Sequence, residues 1–349
     1  MKLGLYVSRT PAPAVVEAAK ACEEHGVDSM WHDESLWYRG TLSMLSACAV
    51  ATERLRLGGA SINPYVIHPT YLAMQYGTLA EISQGRAVVG VGAGVESWVE
   101  QLGIPWSLPR TSVKEAIEII GSVLANKKTT YHGKAFSVTD VELGFASNQP
   151  TPVYWGAMGD RSIEAAGEVA DGWVLSVMEP PNYVQRGLGL LGTGAAKSRR
   201  AVSDFDIVQY QLFACGDDSA KARSEAKELI ATIFRLEFGF CVGQDSMMDA
   251  LSADLDGISK QDYARIMQRL ADGVSPDAAI PDLLLEQTAI AGDPDECAQQ
   301  LHRFGTLGVT ESALQPPRID AERYARIIGE EIKPRLAALE ARSNMEVSR

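Results

Sequence analysis

The chain has 349 residues, 46% hydrophobic and 22% charged, with a formal net charge of −13. That length holds a large core, and α/β barrels of this size form one domain. The acidic balance, with no basic block to offset it, argues against a nucleic-acid partner and against an anionic membrane surface.

The five cysteines are Cys22, Cys48, Cys215, Cys241 and Cys297. None forms a Cys-x-x-Cys pair, so a zinc site or a disulfide framework is not expected and a reducing cytoplasm fits. The start lacks the basic and then apolar character of a signal peptide, and no run of about 18 apolar residues could span a bilayer. A cytoplasmic protein is expected.

Leu3 to Val7 reads as the first strand, and Pro11 to Glu24 as a helix with Val15, Ala19 and Cys22 on one face. His25-Gly26 ends that helix, and Val27 to Trp31 is a second strand. A polar and aromatic loop, His32 to Gly40, leads to a helix over Thr41 to Thr52. Arg54 to Ile62 is a strand stopped by Asn63-Pro64, because proline has no ladder donor. His68-Pro69 opens the next helix, with proline in the first turn where its missing N–H costs nothing. Leu72, Tyr76, Leu79 and Ile82 recur at helical spacing, and Gly85 closes the helix. Val88 to Val91 has the unbroken apolar character of a parallel strand buried on both faces. Gly92-Ala93-Gly94 then permits a sharp turn or the close approach of a ligand.

Two helical stretches, Val95 to Leu102 and Thr111 to Ala125, precede a hairpin-like insertion at about 131–149. Val153 to Trp155 is a strand, Gly156 to Ser162 a turn into the helix Ile163 to Val169, and Trp173 to Ser176 the next strand. The glycine-rich run Gly187 to Gly194 suggests a mobile segment or lid. Asp206 to Ala214 is a strand and Ser219 to Phe238 a helix. From Gly239 to Gln287 the pattern is helical with no strand candidate, which suits a lid or a subunit contact. A helix at Pro294 to Phe304, a strand at Val309 to Leu314 and a helix at Ala321 to Glu340 finish the chain. Eight strands alternating with helices predict a (β/α)8 TIM barrel over 1–349, with insertions at about 131–149 and 239–287. Chemistry in such barrels sits on the loops at the strand C-termini.

Three stretches carry a resemblance. Leu57 to Tyr65, His68-Pro69 and Gly85 to Gly94 resemble the bacterial luciferase-like superfamily, and within it the branch using the deazaflavin coenzyme F420, such as methylenetetrahydromethanopterin reductase. The resemblance implies a non-prolyl cis peptide at Ala60-Ser61. It would form a backbone shelf under the middle cofactor ring, continued by Ile62 and Asn63 and faced by Gly92, Ala93 and Gly94. It also implies that Gly156, Ala157, Met158 and Gly159 cradle the cofactor phosphate. Arg161, next to that loop, either adds charge to it or is simply a solvated helix residue.

Candidates for proton or substrate handling are His32, Asp33, Trp37 and Glu96. Sugar-phosphate dehydrogenases of the family carry Asp-His and a tryptophan in the first of these loops. Here the pair is reversed, which leaves open whether His32 or Asp33 takes the role. Glu96 would equally stabilise a helix start. Tyr6 stands where some reductases of the family place a glutamate. His68 is as readily structural as functional, and His25, His132 and His302 fit surface or helix-end positions. Lys197, Arg199 and Arg200 form the basic cluster that could meet the cofactor's polyglutamate tail or an anionic substrate; a solvated loop is the plainer account.

The expected activity is hydride transfer between F420 and a small organic substrate, in a homodimer, with no metal. Two rivals share the fold: an FMN-dependent monooxygenase and a barrel that binds a flavin without catalysis. A TIM barrel unrelated to flavins would require the motif match to be accidental.

Overall fold

The computed structural model describes residues 1–146, 148–149, 151–235, 252–317 and 320–347. Its strands are β1 (Lys2–Val7), β2 (Ser29–His32), β3 (Arg56–Ile62), β4 (Ala87–Val91), β5 (Thr129–His132), β6 (Ser137–Val141), β7 (Val153–Trp155), β8 (Gly172–Leu175), β9 (Asp206–Cys215), β10 (Ala289–Gly292) and β11 (Glu311–Gln315). Eight of them pair in parallel in the order β1-β2-β3-β4-β7-β8-β9-β11, and β11 pairs back with β1 to close a barrel. All eight predicted barrel strands are present, and helices surround them. The fold is a (β/α)8 TIM barrel.

Alternation along the strands sorts side chains into two layers. Leu3, Leu5, Met30, Leu57, Val89 and Trp173 belong to the outer core under the helices. Tyr6, Trp31, Ala60, Val88, Tyr154, Val174, Val208, Tyr210 and Ala313 form the core within the barrel. Below this inner layer lies a polar floor. Arg56 Nη1 donates to Glu311 Oε2 at 2.7 Å, and Nη2 donates to Asp206 Oδ2 at 2.8 Å and to the Tyr154 hydroxyl. Trp31 Nε1 and Ser29 Oγ donate to the other Glu311 oxygen. A cleft of about 740 Å³, lined by Lys2, Arg56, Arg86, Tyr154, Asp171 and Asp206 among others, opens at this N-terminal end. Arg56, Asp171 and Asp206 among its charged groups are already bonded to barrel strands, and in TIM barrels this end serves stability.

Three elements depart from the sequence expectation. The run Gly187 to Gly194 is no lid: it lies inside the helix Pro181–Lys197. A Cβ on Gly187 would enter the Trp173 ring, and one on Gly194 would strike the carbonyl of Glu164. These glycines let a helix approach closely, and packing overrides their poor propensity. The strand β10 was not foreseen; it pairs with residues 212–215 of β9, beyond the stretch that β8 occupies. The insertion near 131–149 is an antiparallel hairpin that starts two residues early, at Thr129. Glu115 of the helix Pro109–Leu124 anchors it by accepting the N–H groups of Lys134, Ala135 and Phe136 at 2.7–2.9 Å. Of the later insertion, residues 236–251 lie outside the described residues; helices at Lys260–Ala271, Pro276–Ala279 and Asp282–Thr288 follow. Cys241 falls in the same gap, and the other four cysteines are free and buried. No helix among the described residues is long and apolar enough to cross a membrane.

Arg86 follows the helix Pro69–Ser83 and fixes the end of the helix Thr41–Ala51. It donates to Ser83 O at 2.7 Å, to Thr52 Oγ1 at 2.8 Å, and to the carbonyls of Leu55, Ala49 and Thr52 at 2.9 Å. A lysine cannot reproduce that fork. Arg86→Lys is expected to lower stability by about 2–3 kcal/mol in urea unfolding.

His25 bridges Glu330 (2.7 Å) and Glu322 (2.8 Å). The hydrogen bond to Glu330 is the largest cause holding its pKa above the ordinary value. The stabilisation is therefore full below pH about 6.5 and fades as pH rises through the folded value. In His25→Gln the deficit relative to wild type, about 1 kcal/mol, should be largest in acid and shrink as unfolding is measured toward alkaline pH.

Candidate active site

The C-terminal rim of the barrel is shaped by small residues. The Ala60-Ser61 peptide is cis, as the resemblance implied. Behind it, the Tyr210 hydroxyl donates to the carbonyl of Ala60 at 3.2 Å, and Tyr6 stacks on Tyr210 with ring centroids 4.2 Å apart. The neighbouring strands give way around this peptide. A Cβ on Gly90 would collide with Ala60, one on Gly92 would come within 2.5 Å of Ser61 Cβ, and one on Gly156 would meet Ser61 Oγ. Gly94, at φ +77, lies against Asn63 Nδ2. Gly156 N donates to Val91 O at 2.9 Å and Gly92 N to Ile62 O at 3.1 Å, so Ile62 and Asn63 join the two glycine turns at one rim.

The structure separates His32 from Asp33. Trp31 lies inside the barrel, so alternation sends His32 outward, toward the helix Thr41–Ala51. The Thr41 hydroxyl donates to Asp33 O at 2.7 Å, and it therefore accepts from His32 Nδ1 at 3.0 Å. His32 Nε2 is left a buried acceptor with no partner. Burial is the main cause that lowers the His32 pKa, so the ring is neutral at pH 7. Asp33 turns inward. Ser35 Oγ donates to Oδ2, Oδ1 is buried without a partner, and its charge helps hold the Tyr210 pKa well above normal, after burial. Asp33, Tyr210 and the Ala60-Ser61 peptide are thus gathered in one place.

The remaining candidates spread out. Trp37 is 62% exposed on its loop, with φ +71. Glu96 is exposed at the start of the short helix Glu96–Glu100. His68 caps the helix Pro69–Ser83 through Nδ1, which accepts from Thr70 N at 3.3 Å. Lys197 pairs with Glu164 and Glu168, and Arg200 donates to the carbonyls of Ala170 and Gly167, so both are engaged. Among the described residues no group of three or more His, Cys, Asp or Glu could hold a metal.

The Gly156 to Gly159 loop leads into the helix Asp160–Val169, with Gly159 at the cap position. Trp173 Nε1 donates to Ala157 O at 2.8 Å and the Tyr183 hydroxyl to Met158 O at 2.5 Å, which orients the loop; Met158 itself is exposed. Asp160 would oppose an anion there, but Arg186 pairs with it.

Two acids escaped the sequence argument. Glu34 accepts Thr41 N at 2.8 Å and so caps the helix behind His32. Glu179 follows β8 on the same rim, beside Tyr183, with its backbone carbonyl held by Gln209 Nε2 at 2.9 Å. Burial first, then Asp254, push its carboxyl up to about 8, against a smaller opposite pull from Arg186. A carboxyl that stays protonated at neutral pH can donate a hydrogen bond or a proton. Its only sequence cue was its place after a barrel strand.

With this geometry in view, comparison with known proteins decides the family. The luciferase-like monooxygenase family model matches residues 3–311. The chain belongs to that family. The 5,10-methylenetetrahydromethanopterin reductase of Methanolobus tindarius is 30% identical to this luciferase-like chain over 329 residues, covering 94% of it and 98% of the relative. An F420-dependent glucose-6-phosphate dehydrogenase of Nakamurella multipartita is 26% identical, covering 93% of each. In fold, it matches the coenzyme F420-dependent tetrahydromethanopterin reductase of Methanopyrus kandleri with a TM-score of 0.82 at 24% identity, over 96% of this chain and 99% of that one. The luciferase-like barrel here is accordingly that of an oxidoreductase family.

Glu179 gives a test that needs no substrate. Its folded pKa lies above the unfolded one, so the folded state binds the extra proton and stability falls as pH rises from about 4.5 toward 8. Glu179→Gln should remove that decline, making the variant about 1–2 kcal/mol more stable than wild type at pH 8.5 and near wild type at pH 5, once solvent screening is discounted.

Proposed function

We propose that the protein is an oxidoreductase that transfers a hydride between coenzyme F420 and a small organic substrate, working as one domain over 1–349. The observation that carries this is the Asp33 carboxylate, with one buried oxygen left without a donor, beside the peptide that Tyr210 holds. A buried acceptor of this kind is satisfied by an ordered water or by a ligand that brings N–H or O–H groups, and its place beside the Ala60-Ser61 peptide suits the ligand. The glycine rims fit the same ligand, since Gly92, Ala93 and Gly94 put backbone rather than large side chains next to Ser61 and Asn63. The relatives named for F420 support the choice of deazaflavin over FMN.

In this reading Ala60, Ser61, Ile62 and Asn63 support the ring system from one side. Gly156, Ala157, Met158 and Gly159 take the phosphate at the helix start, where unpaired N–H groups and the dipole favour an anion. The bound cofactor would supply the hydride chemistry. Asp33 orients the ring edge through its free oxygen, and Glu179, protonated at neutral pH, is a proton-holding carboxyl on the same rim, beside Tyr183. His32 acts indirectly, by fixing the loop through Thr41. Trp37 and Glu96 are substrate-side candidates on exposed segments. The homodimer implied by the resemblance remains part of the proposal, and sedimentation measures it.

Titration of the purified protein with F420 and, separately, with FMN tests the reading by absorbance and fluorescence. F420 should bind saturably and FMN at least tenfold more weakly. Asp33→Ala should weaken F420 binding about tenfold, the loss of about 1.4 kcal/mol. Tight FMN binding with oxygen uptake on reduction would instead favour the monooxygenase.

A further inference from the structure

A groove of about 420 Å³ runs along the outer wall between the helices Pro109–Leu124 and Asp160–Val169, lined by Arg110, Lys114, Arg161, Glu164, Glu168 and Lys197 among others. Its charges sort by position. Lys114 lies 2.6 Å from Glu168, and Lys197 lies 2.7 Å from Glu164 and 2.8 Å from Glu168. Two lysines thus cancel two carboxylates along the middle and far end of the helix Asp160–Val169. Arg110 and Arg161 stand in the first turns of their helices, at the end nearer the rim. Both are exposed, and among the described residues neither makes an ion pair or a side-chain hydrogen bond.

Two guanidinium groups without an ion-pair partner among the described residues, lining one groove of a chain whose formal net charge is −13, mark a place where an anion is attracted locally and repelled around it. The groove also begins where the phosphate cradle ends. Arg161 is the second residue of the helix whose first N–H groups face that cradle, and Arg186 neutralises Asp160 between them. A ligand held by its phosphate at this helix start would pass any attached chain directly over Arg161.

We propose that this groove is a binding site for a flexible polycarboxylate chain, the glutamate tail of the cofactor, with Arg161 taking the carboxylate next to the phosphate and Arg110 the one beyond it. The assignment rests on the F420 reading. It replaces the cluster of Lys197, Arg199 and Arg200 as the seat of the tail, since Lys197 and Arg200 are spent within the protein. Water-facing arginines suit a chain that stays partly solvated, and each contact is modest and weakened by salt.

The test is a fluorescence titration with F420 carrying its glutamate tail and with the tail-less form that keeps the phosphate, each at low and high salt. At low salt wild type should prefer the tailed form about tenfold, and salt should erode that preference. The Arg110→Ala/Arg161→Ala double variant should lose the preference while binding the tail-less form as wild type does, and Arg161→Lys should retain part of it. Equal wild-type affinity for the two forms overturns the groove assignment and leaves the F420 reading intact. So does a double variant that loses affinity for both forms alike. If neither form binds wild type, the F420 reading falls and the groove assignment with it.

Discussion

The pairing of Arg56 with Glu311 inside the barrel is the contact on which the rest of the structure is built. Arg56 comes from β3 and Glu311 from β11, and the same guanidinium reaches Asp206 on β9 and Tyr154 on β7. Four strands far apart in sequence are thus tied at one level. The Glu311 side chain is only 1% exposed, so its charge is tolerable only because Arg56, Ser29 and the Trp31 indole all donate to it. Removing one partner from such a pair leaves an uncompensated charge in the interior, typically about 3–5 kcal/mol of damage. The floor also sets what lies above it. Glu311 fixes Trp31; the Trp31 ring meets Tyr210 edge-on at 5.9 Å; and Tyr210 holds the carbonyl of Ala60. The rim therefore inherits its position from a polar network at the opposite end.

Glycine serves this stack mainly by being small. A Cβ at Gly58 would enter the Trp31 ring, and one at Gly4 would strike Ser29 Oγ. Gly90, Gly92 and Gly156 make room for Ala60 and Ser61 in the same way. Of Gly90, Gly92, Gly94 and Gly156, it is Gly94 that combines close approach with a positive φ. The motif Gly-Val-Gly-Ala-Gly thus reflects two constraints, space beside the Ala60-Ser61 peptide and a turn against Asn63.

These distinctions set how much was legible beforehand. The eight barrel strands could be found because parallel strands buried on both faces leave short apolar runs between helices, as Val88 to Val91 does. The strand Ala289–Gly292 left no such trace: four small or apolar residues adjoin a helix whose pattern runs straight into them. The run Gly187 to Gly194 reads as a mobile segment or lid because glycine lowers helix propensity, whereas these glycines answer to Trp173 and to the helix carrying Glu164. At the rim, the loop holding His32 and Asp33 was visible, but not which residue faced the barrel. That follows from where Trp31 points, and Trp31 points inward because Glu311, some 280 positions later, accepts its N–H. Glu179 was invisible for a similar reason. Its perturbation comes from burial and from Asp254, neither of which local sequence records.

Arg186 shows how one side chain can settle two problems at such a rim. An aspartate at the first position of a helix stabilises that helix through its dipole, yet the same charge would repel a phosphate brought to the same N–H groups. Arg186 pairs with Asp160 and, by Nη2, with Asp254 at 2.7 Å. The first contact cancels the repulsion while leaving the carboxylate in the first turn, where the dipole favours it. The second fastens the described part of the late insertion to the helix that follows β8, where Asn182 also donates to Asp256 at 2.9 Å. Asp254 in turn raises the pKa of Glu179, so the pair of contacts links the charge state of an acid on the rim to how firmly that segment is seated. Loss of the Arg186 contact would free Asp160 and Asp254 together, placing uncancelled negative charge beside both the helix start and Glu179. On the proposed phosphate site, a guanidinium shared by two carboxylates would couple anion acceptance at the helix to proton retention at the neighbouring strand end.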